Sequence, residues 1–315
     1  MSNLQLYHGD CLELLPEIPT GSVDLILCDP PYGTIKNAAL KGWDASTTQW
    51  DDKINTAAMF EEYERILREN GTAVIFSQEP YTSELRNHKT QNLEFAYPLI
   101  WKKDHFANPL CAKKAPVSYF EDISVYYKKY DRQLINPLRA YFSKVMDFIG
   151  ISSCKKINKI MGHRRAEHCF YVDTMQFSLC TAKTYQELID IFRIDKMAGF
   201  KTFAECEQIA ASFDRTFNLP TGQNYVGNVL EFKKERQGLH PTQKPVAMLE
   251  HIIKIYTNPG DTVLDNCMGS GSTGVACIKT DREFIGMEKS PHIFRTAKER
   301  IEKEAVAPEQ MMLSI

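Results

Sequence analysis

The chain has 315 residues, a net charge of −2 and nine cysteines. That length is enough for a substantial core and suggests one large domain with an insertion. The charge excludes a polycation, so any nucleic-acid footprint must be local. The composition is that of an ordinary globular protein. The cysteines form no C-x-x-C pair, and neither a secretory h-region nor an apolar run of membrane-spanning length is present, so a cytoplasmic protein with reduced thiols and no membrane partner is expected.

Leu4–His8 reads as a short strand, followed by Gly9-Asp10-Cys11 and a brief helix over Leu12–Leu15 that Pro16 and Pro19 end. Val23–Cys28 is a short apolar run rich in branched aliphatics, the pattern of a buried strand. Asp29-Pro30-Pro31-Tyr32-Gly33 follows as a rigid loop, because the prolines fix the backbone and Pro31 biases Pro30 toward extended geometry. Asp29 is thereby held at the carboxyl end of a strand, where open α/β sheets place their ligands. Its carboxylate and the Pro30 carbonyl accept hydrogen bonds, and Tyr32 adds a flat aromatic face. Two acceptors beside a stacking platform suit an exocyclic amino group on a planar ring. Residues 34–54, with Trp43 and Trp50, have no clean period and read as a functional or mobile loop.

Ala57, Phe60, Tyr63, Ile66 and Leu67 predict a helix over 56–69 closed by Asn70-Gly71. A buried strand over 72–76, a helix over 81–88 and strands over 97–101 and 123–127 come next. Strands alternating with helices predict an α/β fold. Residues 134–215 then lose the strand pattern and show helices, among them 152–161, 185–192 and 202–213. A short helix, Gly150 and the basic helix Ser152–Met161 resemble a helix-turn-helix, with an ordinary αα-hairpin as the alternative. In that helix Ile157 and Ile160 are expected to face the core. From Lys102 to Arg165 the chain carries fourteen Lys and Arg against five Asp and Glu, a local excess of the kind phosphate neutralisation needs. Lys155, Lys156, Lys159, Arg164 and Arg165 are the candidate DNA contacts. Cys154, His163, His168 and Cys169 lack zinc spacing, and no metal is expected.

Asn228–Phe232 returns to strand character, followed by His240-Pro241-Thr242-Gln243-Lys244-Pro245 and a helix through Tyr256. Thr262–Asp265 is a strand that runs into Gly269-Ser270-Gly271-Ser272-Thr273-Gly274 and a helix of small residues. Glu283–Met287 is a strand ending at Glu288, Pro291 opens a terminal amphipathic helix, and the chain reads as a loose tail from about Ala305. The glycine spacing, with Glu288 downstream, fits the dinucleotide fingerprint, so NAD or FAD is a rival ligand. In either reading the glycines allow close backbone approach, a helix start supplies N–H groups, and Glu288 takes ribose hydroxyls.

Asp29-Pro30-Pro31-Tyr32, placed ahead of His240–Pro245 and the glycine loop, resembles the permuted β-class of DNA amino-methyltransferases. The resemblance covers about 1–130 and 225–303. Where the family more often has Pro-Phe-Ala, this chain has Asn266-Cys267-Met268. The resemblance implies a Rossmann-like, S-adenosylmethionine-dependent methyltransferase sheet with helices on both faces. It implies a catalytic part over 1–133, a helical target-recognition insertion over 134–215 and a cofactor-binding part over 216–315. Asp29, Pro30, Pro31 and Tyr32 would be catalytic. Asp265 and the Gly269–Gly271 backbone would hold the amino-acid end of S-adenosylmethionine, and Asn266, Met268, Ser270 and Ser272 would also bind the cofactor. Glu288 would take its ribose, Asp10 and Cys11 its adenine, and Asp29, Thr242 and Lys244 would approach it.

The implied reaction is methyl transfer to the N6 of an adenine flipped out of double-stranded DNA. The leading Asp29 favours adenine, since family members acting on N4 of cytosine commonly begin the motif with Ser, and N4 of cytosine is the alternative acceptor. A non-catalytic DNA-binding protein on the same scaffold is the reading from another class. A cognate restriction endonuclease and a homodimeric partner are left open.

Overall fold

The computed structural model describes residues 3–33, 51–107, 112–129, 135–213, 215–234 and 243–312. Most of the loop expected over 34–54, with Trp43 and Trp50, lies outside them, as do His240, Pro241 and Thr242. The chain divides into two units, one formed by Met1–Lys128 with Thr216–Ile315 and one by Lys129–Arg215.

The first unit is an α/β fold built on an eight-stranded sheet, counted among the described residues, in the order β1-β8-β7-β2-β3-β5-β4-β6. The strands are β1 (Leu4–His8), β2 (Val23–Cys28), β3 (Leu67–Ser77), β4 (Leu93–Ala107), β5 (Ser118–Lys128), β6 (Val229–Glu231), β7 (Thr262–Asp265) and β8 (Glu283–Glu288). β1, β8, β7, β2 and β3 are parallel neighbours. β5 runs antiparallel to both β3 and β4, so the carboxyl end of β4 shares an edge with that of β3.

Period-two alternation sends β2 into two cores. Leu25 and Leu27 pack with Val74 and Phe76 against α8 (Val246–Tyr256), α9 (Ser272–Lys279) and α10 (Pro291–Met312). Ile26 and Cys28 pack on the other face with Met59, Phe60, Tyr63 and Leu85, from α2 (Thr56–Ile66) and α3 (Tyr81–Asn87). The connection β2–α2–β3 therefore lies on one face and β7–α9–β8 on the other. The strand order reverses between β7 and β2, which is where open α/β sheets leave a crevice for a ligand.

Several element ends differ from expectation: β3 begins at Leu67 and runs through Asn70-Gly71, and β4 and β5 extend well beyond 97–101 and 123–127. α2 stops at Ile66, short of 69, because Leu67 already pairs with Val23 of β2. The terminal helix continues to Met312 instead of loosening at Ala305.

The second unit has its own core and contains α4 (Pro137–Ile149), α5 (Cys154–Met161), α6 (Ala182–Phe192) and α7 (Phe203–Phe213). Gly150, at φ 67°, ends α4 in the left-handed region, with its N–H donating to Met146 and Asp147 carbonyls. On α5 the buried stripe is Ile157 and Met161, one turn apart. Ile160 is 51% exposed, so it does not face the core as expected. The core-facing stripe is narrow, and residue 160 falls on its flank.

Candidate active site

Four adjacent strand ends bring an acidic residue to one edge. Asp10 follows β1, Glu288 ends β8, Asp265 ends β7 and Asp29 follows β2. Asp10 caps α1 (Cys11–Leu14) by accepting from the Leu12 N–H at 3.0 Å, while its other oxygen pairs with Lys289 at 2.8 Å. The Lys289 hydrogen bond holds the Asp10 carboxyl below its usual range. Cys11 is buried beside it, and the neighbouring Cys267 thiol holds its pKa below the usual thiol value.

Glu288 is half-buried and held by backbone N–H groups, from Ser290 to Oε1 at 2.7 Å and from Gly269 to Oε2 at 3.2 Å. Burial pushes its carboxyl up despite those bonds. Asp265 is 4% exposed and turned inward, accepting from Thr273 Oγ1 at 2.6 Å and from the Cys267 N–H at 3.0 Å. Asn266 accepts from the Tyr63 hydroxyl at 2.5 Å. Met268 is buried, and Arg300 of α10 braces the loop by donating to Ser270 O at 3.1 Å and Ser272 Oγ at 3.0 Å.

The glycines of the loop differ in what they border. Gly269, at φ 49°, has only Cys267 O as near as 4.0 Å to an added Cβ, so it borders open space. Gly271, at φ 80°, would place a Cβ 2.9 Å from Ile301 Cδ1, and Gly274 would place one 2.6 Å from the same atom. Both let α10 pack closely on the loop and α9. Gly271→Val should therefore destabilise the fold, through backbone strain of about 1–2 kcal/mol and overpacking of about 1–3 kcal/mol. The variant's melting temperature without ligand is the check. Gly269→Ala is the better probe of ligand contact.

Burial pushes the Asp265 carboxyl up to about 7. The folded state thus holds a proton that the unfolded chain releases near the ordinary value of 3.8, and stability is lost as pH rises between these values. We expect the wild-type melting temperature to fall over this window more than that of Asp265→Asn. Parallel curves would exclude Asp265 as the titrating group.

Asp29 is engaged through both carboxylate oxygens. Tyr32 donates its hydroxyl to Oδ1 at 2.5 Å, and the Lys244 ammonium holds Oδ2. Burial, then the Asp29 charge, keeps the Tyr32 hydroxyl well above its usual pKa, so it stays a donor. Gly33 is anchored by its N–H to Asp51 Oδ1 at 2.9 Å. Lys244 reaches Asp29 directly, and its ammonium also lies 3.3 Å from Glu121 Oε2. The Glu121 Oε1 atom takes Lys103 at 2.5 Å. In the sequence Lys103 and Glu121 figure only in a charge balance, because nothing local marks two strand residues that meet across a hairpin. Arg300, Lys289 and Tyr63 carry no local sign of a place at the site either. Thr242 lies outside the described residues.

These residues fit a donor that carries a sulfonium, an ammonium and ribose hydroxyls. Acidic residues stand at four adjacent strand ends, Glu288 is fixed in orientation, and the backbone at Gly269 borders open space.

In the helical unit Lys155, Lys156 and Lys159 are exposed and make no ion pair among the described residues. Arg164 pairs with Glu167 at 2.8 Å, and Arg165 with Glu187 at 2.9 Å. Of the fourteen cations between 102 and 165, Lys103, Lys128 and Arg139 are buried, so the surface excess is smaller than the raw balance.

A family model described as DNA methylase, for N6 and N4 methyltransferases, matches residues 23–299. The chain is 27% identical over 309 residues to the DNA adenine methyltransferase YhdJ of Escherichia coli (strain K12), covering 94% of this chain and 82% of that protein. It is 24% identical over 312 residues to the type II methyltransferase M2.MboI of Moraxella bovis, covering 95% and 87%. Among solved structures, the M1.HpyAVI–SAM complex superposes with a TM-score of 0.51 at 22% identity over 94% of this chain and 99% of that one. The cytosine-N4-specific PvuII DNA methyltransferase gives 0.53 at 15% identity over 97% and 92%.

Proposed function

The chain belongs to the N6 and N4 DNA methylase family, and on that premise we propose that its acceptor is the N6 amine of adenine, flipped out of double-stranded DNA onto Asp29-Pro30-Pro31-Tyr32. The enzyme is an S-adenosylmethionine-dependent DNA methyltransferase. The observation that carries the proposal is Asp29, an acidic acceptor held at the switch-point crevice beside an aromatic ring. The adenine-specific relative supports the choice of base.

When bound, the donor supplies an electrophilic methyl group. An exocyclic amine is a weak nucleophile because its lone pair is delocalised into the ring. Asp29 Oδ1 and the Pro30 carbonyl would accept its two N–H hydrogens and favour a pyramidal nitrogen, an electrostatic preorganisation. The incoming amine meets Tyr32 at Oδ1, so the Tyr32 hydroxyl shares or yields that oxygen while its ring stacks on the base, a contact worth about 1–3 kcal/mol. Glu288 would orient the donor through ribose, and Asp10 would lie at its adenine. Asp265 would act through the loop that its hydrogen bonds shape. The order of the motifs, catalytic loop first and glycine loop last, supports the permuted class. The helical unit, with Lys155, Lys156 and Lys159, would hold the DNA backbone, and Arg164 and Arg165 would contribute less because acids neutralise them.

Among the described residues no helix is long and apolar enough to cross a membrane. The bacterial relatives support a cytoplasmic enzyme, and the type II relative supports a paired endonuclease. Expression in a host without DNA methylation, followed by long-read sequencing, should show N6-methyladenine in one sequence context. Methylation at N4 of cytosine would move the chain to the other branch of the family. S-adenosylmethionine should raise the melting temperature by mass action and NAD should not, whereas stabilisation by NAD alone would overturn the cofactor assignment.

A further inference from the structure

Behind Asp29 stands a line of alternating charge that no part of the catalytic motif contains. Lys244 is 7% exposed, Glu121 8% and Lys103 5%. The ammonium of Lys244 lies between Asp29 Oδ2 and Glu121 Oε2, and Lys103 closes the line on Glu121 Oε1. Among the described residues Glu121 Oε2 makes no hydrogen bond, and the Lys244 ammonium faces it. The Gln78 amide also reaches Glu121 Oε1 at 3.5 Å, and aromatic rings flank both ammonium groups. The Lys244 ammonium is 5.1 Å from the centre of the Phe76 ring and 6.0 Å from that of Tyr32, and Lys103 is 5.0 Å from that of Trp101.

Burying such groups is costly, and well-packed apolar side chains of similar volume often serve stability as well or better. Stability alone therefore does not account for the line. Its end point does, because it terminates on the one carboxylate oxygen that faces away from Tyr32. Burial by itself would pull the Lys244 ammonium down, but Asp29 and Glu121 outweigh it and hold it above the usual lysine value. Burial would likewise raise Glu121, yet Lys244 and Lys103 hold it below its usual value.

We propose that Lys244 and Glu121 are positioning residues for methyl transfer, Lys244 pinning Asp29 Oδ2 so that Oδ1 is presented to the target amine, and Glu121 holding the Lys244 ammonium in place. The proposal rests on the reading of Asp29 as the amine acceptor. Neither residue touches the amine. Their contribution is the orientation of Asp29 and the constancy of its partner's charge, and misplacement on the scale of 1 Å costs about 100-fold in rate.

The test compares Glu121→Gln, Lys103→Gln and Asp29→Asn in the full-length enzyme. Readouts are kcat, KM for DNA, S-adenosylmethionine affinity, melting temperature and the pH–rate profile. Glu121→Gln should lower kcat by about 10- to 100-fold while KM for DNA and donor affinity stay within about twofold. It should also bring an alkaline loss of activity to lower pH, because Lys244 keeps only one carboxylate against burial. Lys103→Gln removes a neighbouring cation and should not bring that loss to lower pH. If Glu121→Gln fails to fold, Lys244→Arg replaces it. That variant keeps the charge but changes the geometry, and should lower kcat without a new alkaline limb. A Glu121→Gln enzyme with wild-type kcat and pH profile overturns the positioning role. A uniform loss in all parameters that tracks melting temperature also overturns it. Near-normal turnover in Asp29→Asn would instead remove the reading on which the proposal stands, so the two failures are distinct.

Discussion

Asp29→Asn should lower methyl transfer by about 100- to 1,000-fold, the effect of removing one preorganised electrostatic contact, with donor affinity nearly unchanged. Asn keeps a carbonyl for one partner but presents an NH2 where the amine or Lys244 needs an acceptor. Asp29→Ala should be at least as inactive. It also leaves the buried Lys244 ammonium with Glu121 as its remaining carboxylate, so it should melt lower than Asp29→Asn by the cost of a broken buried partner. Initial rates with labelled donor, donor titration calorimetry and thermal melting separate these effects. Near-normal turnover in either variant would remove Asp29 from the mechanism.

Replacing Lys155, Lys156 and Lys159 together with Ala should weaken DNA binding and flatten its salt dependence. Each lysine–phosphate pair removed reduces the slope of log affinity against log salt by about 0.9, or about 2.7 for all three. Lysines on phosphates carry affinity without sequence information, so the weakening should be similar for specific and unrelated DNA. Donor affinity should not move, because the donor residues belong to other segments of the chain. Arg164→Ala with Arg165→Ala should do less, since Glu167 and Glu187 already neutralise these side chains. The measurement is fluorescence anisotropy across a salt series. An unchanged slope in the triple variant would clear α5 of phosphate contact and point instead to the hairpin between β4 and β5, where Lys113 and Lys114 are exposed.

The sequence by itself determined the features that depend on near neighbours along the chain. The apolar run of β2, the prolines that stiffen its exit, and the strand ends at Asp265 and Glu288 are set by side-chain pattern and backbone restriction within a few residues. Tertiary structure alone decided which of those ends lie side by side and what each charged group meets. Lys244 lies 215 positions from Asp29 along the chain, and no local signal links them. Lys103 and Glu121 count as ordinary charges until the β4–β5 pairing buries them together. Gly271 and Gly274 satisfy a dinucleotide spacing, yet their missing side chains make room for Ile301 of the terminal helix. Ile160 belongs to an apolar pattern that the narrow contact of α5 leaves in solvent. In each case the deciding energy is a contact between residues distant in sequence, where burial strengthens a charge pair or forbids a Cβ. Local propensity carries no term for such a contact.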